Sequence, residues 1–488
     1  MRVDAARPRV PQVPTRRRAR PGRGALGAAV LALVVGAGCT SPPSPTAGIP
    51  SGTLGTNSGS GAAGGSAAAP TPITSTPITS TPATPTDVVA RAKNLATQYD
   101  YAGALALLAN RTDSGAEAAR AQIQAAQVKA VPFADNSTIP HIFYHSLIVD
   151  PARTFTAPDA AGFGQYMVTV REFTAELEQI HRNGYVLVHP ERIAAKDPTG
   201  AMAYQPILLP PGKKPLVLSV DDVSYYEYMA GKGFASDLFV DSDGSVRNHY
   251  TDGQGVTKTG SFDIVPIVDD FVAAHPDFSY RGDKGSIALT GYNGVLGYRT
   301  SVRKYADTPV VHDAQNRARV VADAMKAQGW HFASHSWGHI DMTTSSPDAI
   351  RADAQLWDAE VRPVVGDTPE IVFAFGADIA DATPYAAGNP KFDLLHGAEK
   401  FDYFFTVDAT TPYRVQLSAG TLRQTRINVD GIRMQTDLNG TTKALTPFFD
   451  VRASLDPQRP MPVPMPVGSA AAPVKPKPRA TATPSKRR

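Results

Sequence analysis

One stretch constrains the fold more than any other: Pro215-Leu216-Val217-Leu218-Ser219-Val220-Asp221-Asp222. An apolar, partly β-branched run that stops on two adjacent carboxylates reads as a buried strand. It delivers two acids to the mouth of a sheet or barrel, where their lost hydration must be offset by partners. Much later in the chain comes Ser334-His335-Ser336-Trp337-Gly338-His339, which also follows an apolar segment, Gly329-Trp330-His331-Phe332-Ala333. Two His four apart with a distant Asp form a three-ligand set for a catalytic metal with an open position.

The segments around these two stretches alternate. Strand patterns at 139–146, 184–188, 285–290, 370–376, 401–407 and 426–434 are separated by helical patterns at 170–183, 262–274, 314–328 and 347–361. Strand–helix alternation predicts a parallel α/β arrangement, barrel or doubly wound. Residues 224–260 are Gly-, Asp- and Tyr-rich with weak periodicity and read as an inserted loop. Asp269-Asp270 falls inside a helical pattern and reads as a solvated face.

The ends differ in composition. Arg16, Arg17, Arg18, Arg20 and Arg23 precede an uncharged run from Ala25 to Ala37. That run is short of the ~20 residues of a membrane-spanning helix and suits an export signal. It ends at Cys39, the only cysteine, so no disulfide forms within the chain. The segment at 1–39 resembles a bacterial lipoprotein signal, which implies lipidation of Cys39, with ordinary cleavage or an uncleaved anchor as alternatives. Residues 40–86 are Thr/Pro/Ser/Gly-rich, with Thr-Pro-Ile-Thr-Ser at 71–75 and again at 76–80. Such a segment buries too little to order itself and reads as a spacer. Residues 87–130 form a small helical unit, a spacer or a collar on the main domain. Asp87 is placed to cap its first helix, and Ser114 with Glu117 to box its last. The main domain spans 131–455, and 456–488 is a Pro-rich basic tail. The net charge is only +3, which gives no support to a nucleic-acid partner.

From about 139 to 435 the order of motifs resembles the polysaccharide deacetylase family, carbohydrate esterase family 4. Ile142-Phe143-Tyr144-His145-Ser146 is similar to its opening strand, Leu218-Ser219-Val220-Asp221-Asp222 to its Asp-Asp motif, and His335-Ser336-Trp337-Gly338-His339 to its His-Ser/Thr-x-x-His motif. Phe373-Ala374-Phe375-Gly376 is similar to a shortened third motif. The resemblance implies a distorted (β/α) barrel of fewer than eight strands. It also implies a metal-dependent hydrolase removing N-acetyl groups from amino sugars of a cell-wall or extracellular polysaccharide. Carried over, Asp222, His335 and His339 bind the metal, with Zn2+ best suited to mixed N/O ligation. Asp221 is the general base, and a backbone N–H near Phe375 meets the oxyanion. His145 and Trp337 are second-shell or substrate-contacting candidates. Two family features have no counterpart in the sequence. The segment 371–376 has no Arg to orient the base, and no His follows Asp408 to serve as the acid. His145 is the substitute acid nearest the motifs.

Two other readings stay open on these residues. The chain could be an envelope glycan-binding module of the same fold with weak or no turnover, or an amidase on a non-sugar N-acyl substrate. The expected location is the cell envelope, through the N-terminal anchor, or outside the cell.

Overall fold

The computed structural model describes residues 85–408, 414–418 and 420–464. The export segment with Cys39, the spacer up to residue 84 and the tail beyond 464 lie outside the described residues.

Three helices come first: α1 (Pro85–Thr97), α2 (Tyr101–Leu108) and α3 (Ser114–Lys129). Helix α1 begins before Asp87, which therefore lies inside it. The cap of α3 is Asp113, whose carboxylate accepts from Ala116 N at 3.0 Å. Ser114 is displaced from the cap because the acid one position earlier already satisfies a free N–H of the first turn. The unit is a collar. Ala92, Ala104, Leu108 and Ile123 are buried in one apolar cluster with Ile139, Val186 and Val217 of the main domain. Tyr99 stacks on Tyr280 at 6.1 Å between centroids and donates its hydroxyl to the Asp277 carbonyl at 2.7 Å.

Seven parallel strands form the body: β1 (His141–Tyr144), β2 (Lys214–Asp221), β3 (Ser286–Leu289), β4 (His331–Ser334), β5 (Glu370–Val372), β6 (Tyr403–Val407) and β7 (Thr421–Asn428). Each pairs with the next in sequence, and β7 pairs back onto β1, so the barrel closes. The barrel is thus a (β/α) barrel of fewer than eight strands. Tyr185–Leu187 pairs in parallel with the first residues of β2, and Val415–Ser418 pairs antiparallel with β7.

The period-2 alternation of strands sorts the side chains. On β2, Leu216, Leu218 and Val220 pack outward into the main core. Val217, Ser219 and Asp221 are the alternate set, on the inner face. The outer layer includes α4 (Val170–Arg182), α5 (Ile264–Ala274), α6 (Pro309–Ala327) and α7 (Pro347–Glu360). Helix α4 opens with a capping box, Thr169 and Glu172, and buries Phe173, Leu177 and Ile180 against the barrel.

Four local expectations are corrected. The segment at 224–260 is not a plain loop: Asp237–Val240, Val246–Thr251 and Thr257–Gly260 form a three-stranded antiparallel sheet. Only Val246–Thr251 alternates in burial; Asp237–Val240 and Thr257–Gly260 are too short and too exposed to show a period. Asp269 is not solvated; it is ion-paired with Lys284 and accepts from Trp330 Nε1 at 2.8 Å. Both partners come from outside the helix, where a local pattern cannot see them. The last strand ends at Asn428, and 431–438 is helical, started by Asp430 accepting from Arg433 N. The fold also continues past Leu455. Arg459 makes a fully buried pair with Glu172, 2.6 Å apart, and Thr169 donates to Asp456 at 2.9 Å. The Pro-rich composition there hides two buried charges that anchor it.

Among the described residues, no helix is long and apolar enough to cross a membrane.

Candidate active site

The two acids of the opening stretch part company at the end of β2. Asp221 is the last strand residue and points into the barrel, 3% exposed. Asp222 takes a left-handed backbone, φ +63°, and donates its N–H to the Ala288 carbonyl at 3.0 Å. The turn out of the strand therefore gives neighbouring carboxylates different surroundings.

Asp221 is held by Arg426 of β7. Nη1 donates to Oδ1 at 2.7 Å and Nη2 to Oδ2 at 2.9 Å, and Nη1 also reaches Ser219 Oγ at 3.0 Å. Arg426 is 1% exposed at its side chain and lies over the Phe143 ring at 4.0 Å. Below it, His141 Nε2 lies 2.9 Å from Ser219 Oγ. Burial pushes the Asp221 carboxyl up, but Arg426 and then His335 outweigh it and hold the group well below the usual carboxylate range. This is the two-bond fork that a planar guanidinium makes with a carboxylate.

Asp222 faces the His pair. Its Oδ2 is 3.9 Å from His339 Nε2, and its Oδ1 accepts from the Tyr226 hydroxyl at 2.5 Å. That hydroxyl also lies 2.7 Å from Thr290 Oγ1. Burial opposes ionisation of Asp222, while His339, His335 and His145 lower its pKa on balance.

His335 follows β4 directly. Its Nδ1 lies 2.9 Å from the Val372 carbonyl, so the N–H sits on Nδ1 and the Nε2 lone pair faces the acids. Nε2 is 3.9 Å from Asp221 Oδ2. His339 has φ +53°, and burial pushes its imidazole down to about 4, which leaves it neutral. The tight loop between the two His is held from α7: Asp353 accepts from Trp337 N at 2.7 Å and Gly338 N at 2.8 Å.

Asp222, His335 and His339 each offer one donor atom, all within 4.8 Å of one another. The 3.9 Å between His339 and Asp222 is too long for a hydrogen bond. It suits two donors each ~2.0–2.2 Å from one ion. The donor set fits a divalent metal.

The remaining candidates are placed as follows. His145 follows β1, with its ring 5.8 Å from Phe143, and its charge lowers both Asp221 and Asp222. Phe375 has φ +61° and sets its ring edge-on to His339 at 4.4 Å. The Trp337 indole donates to Glu360 Oε2 at 2.7 Å and its ring packs beside Gly291, so these contacts fix the loop.

Sequence reasoning missed three participants: Arg426, Asp353 and Tyr226 as a partner of Asp222. The Arg absent from 371–376 is supplied by the last strand. Its signal was an Arg inside the otherwise uncharged run Gln424–Val429, a position that only a buried acid can justify. Arg423, three positions earlier, takes the other face and pairs with Asp378.

Residues 305–389 match the family model for polysaccharide deacetylase. This stretch of the chain is similar to that family. The matched segment contains β4, the His pair, α7 and Phe375, while Asp221 and Asp222 lie upstream of it. Among solved structures, a Streptococcus pyogenes deacetylase, PplD in complex with acetate, aligns with 61% of this chain and 97% of its own length. It does so at 15% identity and a TM-score of 0.32. None of the curated proteins matches the chain.

Proposed function

We propose that this protein is a polysaccharide deacetylase, a metal-dependent hydrolase of N-acetyl groups on amino sugars of an envelope or extracellular polysaccharide. The observation that carries the proposal is the division of labour at the end of β2. Asp221 is engaged on both oxygens by Arg426, and Asp222 is turned toward His335 and His339.

Asp222, His335 and His339 would hold the ion, with Zn2+ favoured by the His-rich set. A bound divalent ion supplies an acidified water and a polarised acetamide carbonyl. Asp221, held ionised by Arg426, is the group placed to accept the proton of the attacking water. The Arg426 clamp lowers its basicity but keeps it ionised and fixed in orientation. His145 is the group placed to return a proton to the leaving amine. Tyr226 and Tyr292 stack at 5.4 Å, and Tyr226 and Tyr228 at 5.5 Å. Tyr228 is 45% exposed and offers a face on which a sugar ring could pack.

The N-terminal segment supports export and attachment to the envelope, with Cys39 as the residue to be lipidated. The Arg426 clamp answers one of the two sequence arguments for an inactive glycan-binding module, the missing Arg; the missing late His is the other. The test is acetate release from N-acetylglucosamine oligomers and from peptidoglycan, by protein treated with chelator and then reloaded with Zn2+. Release that disappears with chelator and returns with Zn2+ supports the proposal. Equal release in both states contradicts metal dependence, and release from neither glycan contradicts the substrate class.

A further inference from the structure

The barrel has a second polar end. Its strands are parallel, so their first residues gather at the mouth opposite Asp221 and His335. There His331 opens β4, Glu370 opens β5 and Ser286 opens β3. His189, just beyond the short strand Tyr185–Leu187, joins them. On β4, His331 and His335 are four residues apart, roughly 13 Å at ~3.3 Å per residue. Between the two ends lie an apolar group, Val217, Ala288, Ala333, Val372 and Phe405, and a buried polar group in which His141 lies 2.9 Å from Ser219 Oγ and 3.2 Å from Gln424 Oε1.

His189, His331 and Glu370 each offer a donor atom, all within 4.8 Å of one another. Asp222, His335 and His339 meet the same spacing. His189 Nε2 lies 2.6 Å from Glu370 Oε1, and the His189 and His331 rings lie face to face with centroids 3.4 Å apart. Two imidazolium rings would repel strongly at that separation, so at least one ring is neutral with a free lone pair. Glu370 is 1% exposed. Its Oε2 meets full hydrogen-bond geometry with no partner among the described residues; the Ser286 hydroxyl beside it also falls short of that geometry, although it is close enough to lower the Glu370 pKa. A buried carboxylate oxygen without a partner is costly, and a cation is what such an oxygen best accommodates. The His189 backbone N–H donates to Asp283 Oδ2 at 3.0 Å, while Glu191 Oε2, 4.0 Å from its Nδ1, lies beyond hydrogen-bond reach.

We propose that His189, His331 and Glu370 form a second metal site at the N-terminal mouth of the barrel, taking Zn2+ or a similar borderline divalent ion. Two imidazoles and a carboxylate select such an ion over Mg2+ or Ca2+. The ligands come from three separate chain segments, so the ion ties the exit of Tyr185–Leu187 to β4 and β5. Its role is structural, since it lies at the mouth of the barrel opposite Asp221.

The test counts metal on the full chain after chelator treatment, reloading with Zn2+ and removal of excess. The double variant H335Q/H339Q disables the first site, and H331Q disables the second while leaving the His189–Glu370 contact in place. The wild type is expected to hold two equivalents and each variant one. In H335Q/H339Q, Zn2+ should still raise Tm, and adding H331Q should abolish that rise. H331Q alone should retain acetate release. One equivalent in the wild type and none in H335Q/H339Q would overturn the proposal and leave a simple His–Glu pair. So would an H331Q protein that binds as much metal as the wild type.

Discussion

Arg426 and Asp221 stand on strands two apart in the barrel, with β1 between them, and meet by two hydrogen bonds of 2.7 and 2.9 Å. The pair is almost fully buried. Lys cannot reproduce the fork. Arg426→Lys should therefore keep metal content and KM near wild type while kcat falls about 10–100-fold, the usual cost of losing an orienting partner. Arg426→Gln should also destabilise the fold by about 3–5 kcal/mol, because it leaves a buried carboxylate without its counter-charge. Steady-state kinetics and denaturant unfolding separate the two effects.

Tyr226 binds Asp222 rather than substrate. Tyr226→Phe removes the donor to Oδ1 but keeps the stack on Tyr292. Metal affinity should fall about 10–100-fold, with kcat largely restored when Zn2+ is saturating. Competitive chelator titration reads the affinity. A fall in kcat that excess Zn2+ does not repair would place Tyr226 in the chemistry instead.

Helix α4 carries two buried acids with opposite fates. Glu172 pairs with Arg459. Among the described residues Glu176 has only the Tyr144 hydroxyl as a hydrogen-bond partner, at 3.1 Å, and burial, with Glu172 nearby, raises its pKa to about 8. The native state thus keeps a proton that the unfolded chain releases above about 4.3. Between these two values the native state binds more protons, so this contribution to stability falls as pH rises. Glu176→Gln should be neutral near pH 4 and increasingly stabilising toward pH 8, by about 1–4 kcal/mol. Unfolding midpoints at several pH values check the slope. Equal midpoint differences at both ends would contradict it.

The buried Arg459 makes residues past Leu455 part of the folded domain. A chain ending at Leu455 should lose about 3–5 kcal/mol through the unpaired Glu172, while one ending at residue 464 should not. Thermal unfolding of the two truncations decides.

The legible parts of this protein were those whose cause is local. Leu216 to Val220 announced a buried strand, and the spacing of His335 and His339 announced two imidazoles on one tight loop. Strand–helix alternation gave the parallel class. What stayed hidden depends on partners distant in sequence. Arg426 sits 205 positions from Asp221, and nothing in its own strand says which acid it serves. Asp269 looked solvated because Lys284 and Trp330 lie outside its helix. Glu172 and Arg459 are 287 positions apart, and a Pro-rich context disguised the second of them.

The central claim is that adjacent acids have divided roles, base and ligand. Metal content and acetate release, measured side by side on Asp221→Asn and Asp222→Asn, test it most directly. Asp221→Asn should bind Zn2+ like the wild type and lose acetate release by about 10²–10⁴-fold. Asp222→Asn should lose Zn2+ and activity together. An Asp221→Asn protein that releases acetate at the wild-type rate, or that loses its metal as Asp222→Asn does, would contradict the account.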